Sequence, residues 1–163
     1  MSFTAKLSVV AAASALIALH QIQLPDELES MFAECLIPPA VAREIASSVA
    51  TPKWITQRQL MQSIDQRLAA TALGAGETEA ITLALELGTH SVMLDELPGR
   101  KMAAQVGVPV IGTLGVLLAA KHAGVIVDVA PRLHQLLATG FYASPDLVDQ
   151  ILTLAGEHPL PHR

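Results

Sequence analysis

The chain has 163 residues, 52% of them hydrophobic and 15% charged, which is enough apolar material for one domain with a full core and too much for a disordered segment. Its formal net charge of −5 and pI near 5.6 provide no global positive field, which argues more strongly against a sequence-specific DNA binder than against an enzyme that meets RNA through a metal site. The single cysteine, Cys35, excludes an internal disulfide and fits a reducing, cytoplasmic compartment; in the run Cys35-Leu36-Ile37 it reads as a small core residue.

The N-terminal run sets Lys6 before LSVVAAASALIAL, which resembles the charged and apolar regions of a secretory signal. Its thirteen apolar or small residues are too few for a membrane span. The β-branched pair Val9-Val10 favours instead a buried strand over residues 7–11, a turn, and a helix over 14–20. No membrane partner is expected. A helix follows over residues 26–33, with Pro25 at an early position, and Leu36-Ile37 forms a short strand ending at Pro38-Pro39. Residues 40–49 are helical, with Val41, Ile45, Ser48 and Val49 on the inner face and Glu44 flanking it. Trp54-Ile55 makes another short strand, and residues 59–70 a helix with Arg58 and Arg67 at its margins.

The central stretch, LGAGETEAITLALELGTHSVMLDELPGRKMAAQVGVPVIGTLGVLLAAKHAG, sets two carboxylates at the ends of apolar elements. Ala80, Ile81, Ala84 and Leu85 follow Glu77 at helical spacing, so Glu77 heads the stripe a helix would bury, while Glu79 lies about 200° round. Residues 91–94 read as a short buried strand with Asp95 at its C-terminal end and Pro98-Gly99 opening the next turn. Residues 108–111 form a further strand, and Gly112-Thr113 leads into a helix over 114–121. Helices over 131–139 and 145–155 are stopped by Gly140 and Gly156. The tail HPLPHR has no packing pattern, which gives one domain over residues 1–157 and a flexible tail over 158–163.

Strands alternating with helices, each strand a short continuous apolar run, predict an α/β fold with a mainly parallel sheet covered on both faces. Right-handed crossovers set the ends of the 7–11 and 91–94 strands on one edge, where ligands bind in open α/β sheets. Asp95 and the helix start carrying Glu77 belong to that edge. Carboxylates without cysteine or histidine partners are hard oxygen ligands, suited to Mg²⁺ or Mn²⁺ rather than zinc. Such a metal lowers the pKa of bound water and neutralises charge on a phosphodiester being cleaved; two of them roughly 3.5–4 Å apart make a symmetric clamp. The competing reading is that Glu77 caps a helix, where a carboxylate gains about 0.3–1 kcal/mol, and that Asp95 starts a turn. A third reading, nucleotide binding at Gly112-Thr113-Leu114-Gly115, lacks the lysine of a phosphate-binding loop and the third glycine of a dinucleotide fingerprint.

The pieces LSVVAAASALIAL, LIPPAVAREI, LGAGETEAITLALELG, VMLDELPGRKMAAQVGVPVIGTLGVLLAAKHAG, PRLHQLLATGFYAS and ILTLAGE together cover nearly the whole chain. With them the sequence resembles the PIN-domain proteins, and more closely a PIN-like branch of unknown function related to VapC-type toxins. The combination of LGxGExEAIxLA with LDxxxGRxxAxxxGxPVIGTxGVLxxAKxxG is the specific part. The resemblance implies a three-layer α/β/α PIN-like fold and an Mg²⁺- or Mn²⁺-dependent endoribonuclease whose acids gather at the C-terminal edge of the sheet. Carried over by position, the catalytic and metal-binding acids are Glu44, Glu77 and Asp95, with Glu96 as a neighbour where the branch often has a second acid. Arg100 matches the basic residue of the GR pair, and holds a phosphate, orients an acid or is a solvated helix-start charge. Thr113 faces the same edge or caps a helix. The implied partners are an RNA substrate and a cognate antitoxin protein that masks the acidic edge. The apolar excess, with mean hydropathy +0.47, points to a homodimer.

One departure outweighs the matches. The family pattern at the end of the first strand runs approximately V-V-x-D-A-S-P-L-I, and here Ala12 stands where the first metal-binding aspartate belongs, with Ala15 in place of the proline. Losing one of about four carboxylates removes a full negative charge from a divalent site, so metal affinity and nuclease activity both fall. Ala12 fits either a natural degenerate site or a deliberate inactivating substitution; the retention of Glu44, Glu77 and Asp95 favours a nuclease ancestry with recent loss. The alternative function is a non-catalytic PIN-like module that binds RNA or protein.

Overall fold

The computed structural model describes residues 6–158. Strands β1 (Leu7–Ala11), β2 (Phe32–Ile37), β3 (Ile55–Gln57), β4 (Ser91–Met93) and β5 (Val110–Ile111) pair in parallel throughout, in the order β3-β2-β1-β4-β5. Val9, Val10 and Ala11 are fully buried, so successive side chains on both faces of β1 meet core, as a central parallel strand requires. Val10 pairs with Leu36 on one side and Val92 on the other.

The helices are α1 (Ala13–Gln21), α2 (Pro39–Ile45), α3 (Gln66–Ala69), α4 (Ala75–Leu87), α5 (Leu97–Gln105), α6 (Thr113–His122), α7 (Ala130–Ala138) and α8 (Pro145–Leu154). They flank the sheet: α4 packs on β1, β4 and α2, and α6 packs on α1, α7 and α8. The chain builds outward from β1 to β3, then returns beside β1 with β4 and continues to β5. The direction of winding therefore reverses between β1 and β4. In open α/β sheets the crevice at that reversal, beyond the strand C-termini, is the ligand-binding position.

Several elements depart from expectation for local reasons. Residues 25–31 form a 3₁₀ turn rather than the start of an α-helix over 26–33. Leu28 and Met31, spaced by the three residues of a 3₁₀ turn, are both buried, and β2 already begins at Phe32, whose ring stacks on Trp54 at 5.4 Å. Helix α2 ends at Ile45, whose carbonyl accepts from both Ser48 and Val49, and Ser48 is exposed rather than on the inner face. The helix expected over 59–70 shrinks to α3. The Met61 and Gln62 N–H groups donate to the Glu86 carboxylate at 2.9 and 2.7 Å, and Asp65 caps the restart by accepting from Arg67 N at 2.8 Å. Where Pro98-Gly99 suggested a turn there is instead α5, with the proline in its first turn where a missing N–H costs nothing. Cys35 is a core residue, its thiol pushed up to about 12 by burial. Of the expected tail over 158–163, all but His158 lies outside the described residues. No helix among the described residues is long and apolar enough to cross a membrane.

Glu157 secures the C-terminal end. Its carboxylate accepts from Val129 N at 2.8 Å and Ala130 N at 2.9 Å, the start of α7, and from Lys121 Nζ at 3.0 Å, the end of α6. Glu157→Ala leaves two helix-start N–H groups without that acceptor and is expected to destabilise by about 1–3 kcal/mol. Thermal melting should show a fall of roughly 3–10 °C for a domain of this size; an unchanged melt would mean that water takes over the carboxylate's role.

Candidate functional site

The winding reversal is formed by Ala12 at the exit of β1 and by Leu94, Asp95 and Glu96 at the exit of β4. Ala12 N donates to Met93 O at 2.9 Å and Leu94 N to Ile111 O at 3.0 Å, so the three strand ends are stitched together beneath the edge. Ala12 is 1% exposed and occupies the N-cap position of α1 with the extended backbone of a cap (φ −84°, ψ 160°), yet has no side-chain atom to cap with. Ser14 Oγ, in the first turn of α1, is shielded from solvent and has no hydrogen-bond partner among the described residues.

Glu77 lies in the first turn of α4 and is half-buried. Burial first, then the charge of Glu96, a hydrogen bond shared with Glu96 and the charge of Glu44 push its carboxyl up from 4.5 to about 7. Glu44, exposed near the end of α2, reaches across and accepts from Gly76 N at 2.9 Å. Glu79 points elsewhere, as its helical angle requires: it accepts from Ala40 N at 3.1 Å and sits 3.9 Å from Arg43. Asp95 makes its hydrogen bonds to Thr113 instead. Its two oxygens accept from Thr113 N at 2.8 Å and Thr113 Oγ1 at 2.6 Å, so Thr113, fully buried at the start of α6, orients Asp95 rather than capping its own helix.

Three glycines make these approaches possible by lacking a side chain. A Cβ on Gly76 would lie 2.7 Å from Glu44 Oε2, one on Gly99 2.9 Å from Glu77 Oε2 and 2.8 Å from Leu94 Cδ2, and one on Gly112 3.0 Å from Asp95 Oδ1. The two tightest differ in what has to move. For Gly76→Ala it is the end of an exposed glutamate, so the Glu44 contact is lost with little change in stability. For Gly99→Ala it includes Leu94, which is fully buried, and a loss of about 1–3 kcal/mol is expected. Parallel denaturant titrations check the contrast, and equal midpoints for the two variants would refute it.

The structure thus sets Glu77 within electrostatic reach of Glu44 and Glu96, hydrogen-bonded to Glu96, and holds Asp95 on Thr113 at the end of the neighbouring strand β4. Among the described residues, no three Asp, Glu, His or Cys side chains gather closely enough to hold an ion. The donor chemistry nevertheless fits a hard divalent cation. All four acids offer oxygen, and burial together with the charges of Glu96 and Glu44 holds the Glu77 carboxyl up at about 7, a cost that a cation would relieve. The orphaned Ser14 hydroxyl marks the place, next to Ala12, where a further carboxylate would be received.

Comparison with known proteins bears on the whole chain. A family profile described as a PIN domain, of unknown function, matches residues 8–157. No significant match was found among curated proteins or among solved structures. The five-stranded parallel sheet with its flanking helices agrees with a PIN-like fold. With that architecture, and with the matched residues running from β1 to the carboxylate that ties down α7, the chain belongs to the PIN-domain family, whose fold is of nuclease type.

Proposed function

We propose that the protein is a metal-dependent endoribonuclease of PIN type, the toxin of a toxin–antitoxin pair, weakened as written because Ala12 replaces the first metal-binding aspartate. The observation that carries this reading is Glu77, wedged between Glu96 and Glu44 beside the winding reversal of the sheet and protonated up to about pH 7. A half-buried carboxyl whose pKa is raised by burial and by like charges, at the ligand-binding edge of the sheet, supports a functional site. Mg²⁺ or Mn²⁺ would be held by Glu44, Glu77 and Asp95, with Glu96 adjoining. What such an ion supplies when bound is a lower pKa for the attacking water and charge neutralisation at the phosphodiester. The chain's own residues do the rest. Thr113 fixes the Asp95 carboxylate with two donors, and Gly76 and Gly99 let Glu44 and Glu77 close on the edge.

An antitoxin protein would mask this acidic edge, and the exposed apolar residues Leu97, Val127 and Leu154 support self-association as a homodimer. The buried, unreactive Cys35 suits the cytoplasm. The test is cleavage of single-stranded RNA and of tRNA by Ala12→Asp in Mg²⁺ and in Mn²⁺, beside the same variant carrying Asp95→Asn. Activity in the first and loss in the second support the reading. Inactivity with both metals and several RNAs favours the second reading, a non-catalytic PIN-like module that binds RNA or protein, for which Ala12 itself is the supporting observation.

A further inference from the structure

A cleft of about 320 Å³ opens on the β5 side of Asp95, between the starts of α5 and α6 and the loop that leads into α8. Its walls include Asp95, Arg100, Leu114, Gly115, Phe141 and Tyr142. The volume is at the small end of the range for ligand pockets, about that of a single nucleotide unit rather than a folded partner.

Three features of the lining converge on one chemistry. Arg100 is exposed, and its guanidinium makes no hydrogen bond or ion pair among the described residues; its Nη1 lies 3.6 Å from where a Cβ on Gly112 would be. Asp95 on the same lining accepts from Thr113 through both oxygens, and no hydrogen bond or ion pair joins it to Arg100. Leu114 and Gly115 stand in the first turn of the ten-residue α6, where N–H groups lack intrahelical partners. Tyr142, the chain's only tyrosine, also lines the cleft and is 86% exposed, with Phe141 half-buried next to it in sequence. A free guanidinium and a helix start suit a phosphate; an exposed aromatic ring suits the face of a base.

We propose that this cleft binds one nucleotide of a single-stranded RNA, its base stacked on Tyr142 and its phosphate held by Arg100 at the start of α6, so that the strand continues from there onto the acidic edge. The identification of the strand as RNA rests on the ribonuclease reading. The cleft itself does not depend on the acids being competent, and the two separate experimentally.

Binding of a fluorescently labelled, mixed-sequence single-stranded oligoribonucleotide to the full chain, followed by anisotropy, tests it. Tyr142→Ala should weaken binding at least about fivefold while Tyr142→Phe keeps the affinity, because stacking needs the ring and not the hydroxyl. Arg100→Ala should weaken binding and reduce the slope of log affinity against log salt by about one phosphate contact. Both side chains are solvent-exposed, so a melting curve should be unchanged and misfolding is not an alternative explanation. Affinity indifferent to Tyr142→Ala and Arg100→Ala, or no binding of the oligoribonucleotide by the parent chain, overturns the proposal. Cleavage by Ala12→Asp, read on the same oligoribonucleotide, separates the two ideas. Cleavage with binding indifferent to both substitutions removes the cleft and leaves the nuclease. Binding dependent on Tyr142 and Arg100 without cleavage removes the nuclease and leaves the cleft.

Discussion

Ala12→Asp is expected to raise Mg²⁺- or Mn²⁺-dependent RNA cleavage by at least about a hundredfold, since even residues that only orient a metal's ligands change affinity or activity by 10–100-fold. Position 12 is prepared for the change. Its backbone already has the extended conformation of an N-cap, its N–H is held by Met93 O, and Ser14 Oγ waits two residues on without a partner. A carboxylate there would accept from the start of α1 and from Ser14, and would stand beside the exit of β4 where Asp95 begins. Ala12→Asn is the control that separates structure from chemistry. It can cap α1 and take up Ser14, gaining on the order of 1 kcal/mol in stability, but adds no charge for a cation. The expected pattern is stabilisation in Ala12→Asn, no such gain in metal-free Ala12→Asp because the new carboxylate is buried beside other acids, and cleavage in Ala12→Asp alone, with Mn²⁺ raising the melting temperature of Ala12→Asp more than that of Ala12→Asn. Initial rates and melts on the two proteins decide it. Equal behaviour of the pair would reduce position 12 to a cap.

The second large effect belongs to Glu77. In the unfolded chain its carboxyl ionises near 4.5, and in the fold near 7. Below pH 4.5 both states hold the proton and the residue exacts no penalty. Between 4.5 and 7 the unfolded chain releases a proton that the fold retains, so stability falls as pH rises, and above 7 the loss is complete. A shift of that size corresponds to at most about 3–4 kcal/mol. Because Glu77 is only half-buried, solvent screening brings the expectation to about 1–2 kcal/mol. Glu77→Gln should therefore melt roughly 2–8 °C above the parent at pH 8 and nearly with it at pH 4.5. Millimolar Mn²⁺ should stabilise the parent at pH 8 far more than at pH 5, and the glutamine variant at neither. A melting difference that is the same at both pH values would show that neither burial nor the charges of Glu96 and Glu44 raise the Glu77 carboxyl.

Much of this was visible in the residues. The pair Val9-Val10 fixed the central strand, and the helical spacing after Glu77 identified α4 and separated Glu79 from the site, because apolar periodicity reports which face is buried. Element ends were less legible. The stretch before α3 has helical composition, but Glu86, distant in sequence, captures its backbone N–H groups, and a contact across 24 or 25 residues leaves no local trace. Pro98-Gly99 reads as a turn by composition, whereas in the structure the proline opens α5 and the glycine is there to admit Glu77 and Leu94. The grouping of the acids was only half legible: all were found on one edge, yet the partition of Glu77 toward Glu96 and Glu44, and of Asp95 toward Thr113, depends on side-chain direction. The glycine before Glu77, the one before Arg100 and the one before Thr113 were the available signal, since each leaves open the space that an acid enters.

The sheet's outermost strands are short, β3 with three residues and β5 with two. Edges of that length expose too few unpaired backbone groups to template a strand from another molecule, which blunts the usual route to sheet extension and fibril growth. The proposed association with a second copy or a masking partner would therefore rely on side-chain packing on the helical layers. An inhibitor built as an added β-strand would find nowhere to seat, whereas one built as an amphipathic helix would have surface to work with.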